Sequence, residues 1–223
     1  MAQSVVKIIP GRTVFFVCDL QTKFRTAIHA FEEVILTSQK MLKLATILEI
    51  PVIFTEQNPK ALGPTVPELS SEALGPLHLG TIEKTLFSMM TPEVTSLLRA
   101  KQFRSIVLFG IESHVCVLQS ALDLLAEGYG VHVLADGVSS CNKEEVPYAL
   151  ARMRQAGAQI TTSESLLFQL QRDGYRIHFS HRLACTIGDS STPEFRSFAR
   201  AIKEEKENTT KAVQALLQAR DVF

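Results

Sequence analysis

The sequence predicts a doubly wound α/β domain, and three observations lead there. Apolar runs of strand length stand at 13–18, 51–55, 105–110, 131–135 and 158–161. They are continuous rather than alternating, the pattern of strands buried on both faces of a parallel sheet. Stretches with helical spacing separate them, and this β–α–β order calls for right-handed crossovers. The chain of 223 residues is long enough for one domain with a sizeable core and short for two. Residues 1–223 are therefore read as a single domain.

Along the chain, Phe31, Val34, Ile35, Met41, Leu42, Ala45 and Leu48 recur at helical spacing between the first two strands. The segment 56–80 carries Pro59, Gly63, Pro64, Pro67, Gly75, Pro76 and Gly80 and reads as a long, shaped loop or lid. After the run Ser105 to Phe109 the chain turns at Gly110 into a helical pattern from Leu118 to Leu125. A further helix over roughly 144–156, containing Met153, is closed by Gly157 before the run at 158–161. Residues 171–188 show neither helical nor strand period. From Pro193 to Ala219 a charged, Ala-rich helical pattern returns.

Composition excludes several function classes. Lys plus Arg and Asp plus Glu are equal at 23 each, so no basic footprint for nucleic acid or for an anionic membrane is present. The start, Met1 to Lys7, lacks the charged and apolar regions of a signal peptide. No apolar run approaches the ~20 residues that span a bilayer. Cys18, Cys116, Cys141 and Cys185 are scattered without a CxxC pair, which reads as reduced thiols rather than a disulfide framework. A soluble cytoplasmic protein acting on a small molecule, with no nucleic-acid or membrane partner, is the expectation.

The stretch Gly110-Ile111-Glu112-Ser113-His114-Val115-Cys116-Val117 concentrates the chemistry. A thiol where a buried strand turns into a helix meets free N–H groups and the positive end of the helix dipole. Both favour a thiolate and can stabilise a developing oxyanion. Asp19 ends the first strand, and active sites of such sheets gather at the carboxyl ends of strands. Lys84 lies in Ile82-Glu83-Lys84-Thr85-Leu86-Phe87. Together Asp19, Lys84 and Cys116 compose an activated cysteine nucleophile: Lys84 stabilises the negative sulfur and Asp19 moves its proton.

Other polar residues receive blander readings. Cys18, among apolar strand neighbours, is read as structural, and Cys141 and Cys185 as inert or partly exposed thiols. His114 is expected to point away from the nucleophile, His132 to be a hydrogen-bonded core or edge residue, and Asp136 to serve a turn. His178, His181 and Cys185 make a poor zinc set in an irregular segment. No G-x-G-x-x-G follows the first strand, which argues against a nucleotide-binding module.

Five motifs in order carry a resemblance. They are Cys18-Asp19-Leu20-Gln21-x-x-Phe24-Arg25, Thr55-Glu56-Gln57-Asn58-Pro59, Glu83-Lys84-Thr85-x-Phe87-Ser88, the Gly110–Val117 stretch, and Ala135-Asp136-Gly137-Val138-Ser139-Ser140. Over about residues 10–170 the chain resembles the isochorismatase-like cysteine hydrolase superfamily, nearest the branch of isochorismatase domain-containing proteins. The resemblance implies a three-layer, Rossmann-like fold with a six-stranded parallel sheet, and a homo-oligomer. It implies that Asp19, Lys84 and Cys116 are the catalytic triad. It also implies a cis peptide between Ile111 and Glu112 that joins the Glu112 and Cys116 N–H groups into an oxyanion hole.

Phe24 and Gln57 are the expected pocket-lining residues, the first to stack on a flat group and the second to hydrogen-bond a carbonyl. Isochorismatases that cleave a vinyl ether lack the thiol, so amide-type C–N cleavage through a thioester is the expected reaction. Nicotinamidases of the superfamily carry an Asp-x-His metal motif after strand two, where this chain has Glu56-Gln57-Asn58, so neither a metal nor an organic cofactor is expected. The alternative is a catalytically silent binding or scaffold protein that keeps the fold. Residues of about 171–187 depart from the family as an insertion, either a surface loop or an intron retained in frame.

Overall fold

The computed structural model describes residues 6–171 and 195–217. The anticipated insertion at 171–187, apart from Gln171, and His178, His181 and Cys185 lie outside the described residues. Six strands form one sheet: β1 (Thr13–Cys18), β2 (Val52–Gln57), β3 (His78–Lys84), β4 (Ser105–Ile111), β5 (Gly130–Ser139) and β6 (Gln159–Thr161). Their spatial order is β3-β2-β1-β4-β5-β6, and every pairing is parallel. The expected α/β fold with a six-stranded parallel sheet is what the chain adopts.

Helices cover both faces, which is why β1 and β4 are buried at every residue. Strand alternation sends Phe15, Val17, Phe54, Val107 and Phe109 into one layer, against α1 (Phe31–Leu48), α6 (Ser163–Leu170), α7 (Phe195–Glu204) and α8 (Lys206–Leu217). The opposite parity sends Val14, Phe16, Cys18, Ile53, Ile106 and Leu108 against α3 (Pro92–Ala100), α4 (Leu118–Ala126) and α5 (Glu145–Ala156). Local chemistry marks the boundaries. Thr91 caps α3 by accepting from Val94 N at 3.2 Å, with Pro92 at the first helical position. Gly157, at φ 113°, closes α5.

The structure departs from the sequence reading in four places. The segment 56–80 is not a free loop throughout: a short helix, α2 (Pro59–Leu62), follows β2, and the last three residues already belong to β3. β3 is an edge strand with exposed and half-buried residues, so it carries no continuous apolar run. Asp136 lies inside β5, fully buried, rather than in a turn. Its carboxylate accepts hydrogen bonds from Ser163 N and Ser163 Oγ and so holds the first turn of α6. His132 is buried as expected, but its Nε2 has no hydrogen-bond partner among the described residues.

Gly110 has one observable reason to be glycine. Its φ is +120°, and a Cβ there would stand 2.2 Å from the Cys18 carbonyl oxygen on the neighbouring strand. Gly110→Ala is expected to cost about 3 kcal/mol of unfolding free energy, because backbone must move. Gly128→Ala, at φ +81° with open space around it, should cost only about 1 kcal/mol. Urea titration of both variants checks the contrast.

Burial pushes the His132 imidazole down to about 4 from its ordinary 6.5. Below pH 6.5 the unfolded chain takes up a proton at this site that the folded chain refuses, so the contribution to stability is complete above 6.5 and is lost as pH falls towards 4. The loss amounts to up to about 3 kcal/mol at 1.36 kcal/mol per pH unit. Chemical denaturation of wild type and His132→Leu between pH 7 and pH 4.5 should show a shallower pH slope in the variant.

Candidate active site

The sheet changes direction between β1 and β4, the place where such sheets open a crevice at their carboxyl ends. Asp19 follows β1 there, with φ +50°, and its N–H donates to the Thr55 carbonyl at 3.2 Å. The Thr55 hydroxyl donates to Asp19 Oδ1 at 2.8 Å. Oδ2 receives the Lys84 ammonium at 2.7 Å, and both side chains are essentially without solvent contact, at 0% and 1% exposure.

Lys84 reaches this point because it ends β3, in register with Gln57 of β2. Its Nζ donates to Asp19 Oδ2 and Gln57 Oε1 at 2.7 Å each, to the Phe87 carbonyl at 2.9 Å and to the Leu86 carbonyl at 3.1 Å. Four oxygens therefore surround an ammonium that has three protons. Burial works against the charged form, but Cys18, Asp19 and Cys116 around the ammonium outweigh it, and the Lys84 pKa is raised. The amine is a fixed cation.

Cys116 lies in the single π-type turn Ser113–Val117 that joins β4 to α4. It is nearly buried, and its carbonyl accepts from Ser120 Oγ at 2.6 Å, which in turn accepts from Met89 N at 2.8 Å. The Ile111–Glu112 peptide before this turn is cis. Cys18 shares the layer of Cys116. Burial, then a hydrogen bond with Cys116, then the Asp19 charge push the Cys18 thiol well above the ordinary range, so it stays protonated. The sequence reading treated Cys18 as packing alone. The missed signal is strand parity, which sends residue 18 to the α4 face.

The two expected pocket residues are placed differently from each other. The Gln57 amide is engaged on both sides, its Oε1 by Lys84 and its Nε2 by the Thr85 carbonyl at 3.0 Å. Phe24, in the 3₁₀ turn Thr22–Phe24, is half-buried and packs against the core on the α1 side. Gln21, absent from the candidate set, binds the Gln57 and Gly63 carbonyls and accepts from Gln57 N, which pins the loop after β2 to β1. Glu56 accepts from Thr65 N and Thr65 Oγ1 and fastens the same loop. His114 Nδ1 and the Ser140 hydroxyl share a hydrogen bond of 2.9 Å.

The arrangement supplies a buried carboxylate with spare lone pairs, a fixed cation, and a thiol at the start of a helix. A family model described as the isochorismatase domain matches residues 13–165. Isochorismatase family protein 1B of Dictyostelium discoideum is 48% identical over 175 residues, covering 78% of this chain and 85% of that protein. Isochorismatase domain-containing protein 2 of Xenopus laevis is 45% identical over 193 residues, covering 86% and 84%. A solved structure described as the MAR1 ribonuclease of Caenorhabditis elegans superposes with TM-score 0.74 at 40% identity, covering 88% of this chain and 92% of that one.

Removing one partner of a dry ion pair strands the other charge, which costs about 3–5 kcal/mol. Lys84→Met is expected to destabilise the protein by that amount. Asp19→Asn with Lys84→Met should recover a large part of it, and a double-mutant cycle by chemical denaturation measures the coupling.

Proposed function

The chain belongs to the isochorismatase family, and on that footing we propose that it is a cysteine hydrolase cleaving a small amide-like C–N bond. The observation that carries the proposal is the Lys84–Asp19 ion pair, 2.7 Å long and excluded from water, beside the turn that bears Cys116. Asp19 keeps unused lone pairs while it accepts from Lys84 and Thr55. In the proposed cycle it takes the Cys116 thiol proton as the sulfur attacks the substrate carbonyl carbon.

The carbonyl π electrons move to oxygen, where the N–H groups of Glu112 and Cys116 serve as donors. Collapse of the tetrahedral species breaks the C–N bond, and the proton on Asp19 goes to the leaving amine. Water then attacks the thioester, gives its proton to Asp19, and expels Cys116, which recovers that proton. Gln57, bonded to Lys84, is assigned a positioning role, and Phe24 bounds the apolar side of the pocket. A homo-oligomer and a cytoplasmic location remain part of the proposal. Among the described residues no helix is long and apolar enough to cross a membrane.

A second reading starts from the Caenorhabditis elegans relative, which is named a ribonuclease. Here Lys84, the cation of the site, is already enclosed by oxygen acceptors, and the chain carries no net charge. Both favour a neutral carbonyl over a polyanion. A silent scaffold gives no role to a dry ion pair held beside a thiol.

The test is a screen of small amides, carbamoyl compounds, esters and RNA against wild type and Cys116→Ala. Turnover of an amide-like compound, reduced more than about a thousandfold in the folded variant, is expected. Peptide mapping after brief iodoacetamide treatment should place the label on Cys116. Full activity in Cys116→Ala, or RNA cleavage with no turnover of any small compound, would overturn the proposal.

A further inference from the structure

At the end of the crevice beside β5 a second group of side chains comes together. Glu112 directly follows β4, His114 sits in the turn before α4, and Cys141 lies just past the end of β5. One carboxylate oxygen of Glu112, one imidazole nitrogen of His114 and the Cys141 sulfur all lie within 4.8 Å of one another. Glu112 and His114 are half-buried and Cys141 is exposed, so solvent reaches the group. None of the three side chains has a part in the proposed hydrolysis, which uses only the Glu112 backbone.

The surrounding contacts hold the three groups in place. Cys141 N donates to Glu112 Oε2 at 2.8 Å, across 29 positions of sequence. Ser140 Oγ meets His114 Nδ1 at 2.9 Å and Ser113 Oγ at 2.6 Å. In the tautomer whose Nδ1–H donates to Ser140 Oγ, this contact fixes the plane of the imidazole and leaves Nε2 its lone pair for a metal. Thiol, imidazole and carboxylate from the β4–α4 connection and the end of β5 are a ligand set for a borderline-soft ion, whereas Mg²⁺ and Ca²⁺ prefer oxygen alone.

We propose that Glu112, His114 and Cys141 bind a thiophilic divalent cation of the Zn²⁺ type, with three protein ligands and a fourth position open to water. This site stands apart from the hydrolase reading and departs from the expectation that the chain takes no metal. Ligand atoms at 2.0–2.3 Å from a tetrahedral Zn²⁺ are about 3.5 Å from each other. The observed atoms, all within 4.8 Å of one another, are to draw together to that spacing on binding. On binding, the Cys141 S–H bond breaks, a sulfur–metal bond forms, and the proton leaves to solvent.

The experiment uses the whole chain, stripped with a chelator and titrated with Zn²⁺ against a chromophoric competitor of micromolar affinity. A parallel titration with Co²⁺ reads the thiolate-to-metal charge-transfer band. Wild type and Cys116→Ala should each take up one equivalent and show the band. Cys141→Ser should lose the band and bind at least about tenfold more weakly, and His114→Ala should weaken binding to a similar degree. Cys141→Ser, on an exposed loop, carries the test alone if His114→Ala does not fold. No uptake by wild type at micromolar Zn²⁺, or uptake unchanged in Cys141→Ser, overturns the proposal.

Discussion

The placement of one ammonium constrains the loops at the carboxyl end of the sheet, where the candidate site lies. Lys84 Nζ lies in a dry pocket and is satisfied only because Asp19, Gln57 and two carbonyls converge on it. These partners come from three parts of the chain, so the ammonium works as a joint between the end of β1, the end of β2 and the segment after β3. A buried charge missing even one such partner would be severely penalised. The loop after β2 is fastened from the other side by Gln21 and Glu56, which keeps Gln57 where Lys84 needs it. The geometry of the carboxylate is therefore set by the fold and not by a flexible side chain finding its own place.

The sheet supplies the remaining order. Because β1 and β4 are neighbours, residues that follow them meet although they are far apart in sequence. Parity does the rest: the residues at 14, 16 and 18 face the α3–α5 layer. The backbones of β1 and β4 approach closely at Gly110 and Cys18, which demands a residue without a side chain. The same closeness brings the turn bearing Cys116 beside the end of β1. Packing, hydrogen bonding and the proposed chemistry thus share one crossing point.

Much of this was legible in the residues and some was not. The buried strands announced themselves because parallel strands covered on both faces need unbroken apolar runs. β3 did not, because an edge strand is half exposed and His78 to Lys84 alternates without a clear apolar face. Asp136 resembled a turn residue because Gly137 follows it, yet a helix start from a distant segment claims its carboxylate. Gln57 reads from the sequence as a pocket residue, while its bond to Lys84 is not legible there, since a glutamine beside a strand end bonds a substrate or a lysine with equal ease. The β2–β3 register, which sets Gln57 opposite Lys84, is what brings the two together. The Glu112–His114–Cys141 group had no local signature, because Cys141 arrives from the end of the neighbouring strand β5.

The charge balance of the crevice gives the proposed cycle its physical economy. The pocket holds the Asp19–Lys84 ion pair, and Cys18 is held neutral by burial and by its neighbours. When Cys116 gives its proton to Asp19, the negative charge passes from oxygen to sulfur and the total is unchanged. Attack on a carbonyl moves the same charge onto the substrate oxygen, again without adding to it. A water-excluded site tolerates such transfers far better than the creation of a second uncompensated charge, whose solvation cost rises steeply as the dielectric falls. A neutral carbonyl compound preserves this balance at every step. An anionic substrate enters with a charge that Lys84, already enclosed, has no free donor to meet, and this is why the proposal names a neutral, amide-like substrate.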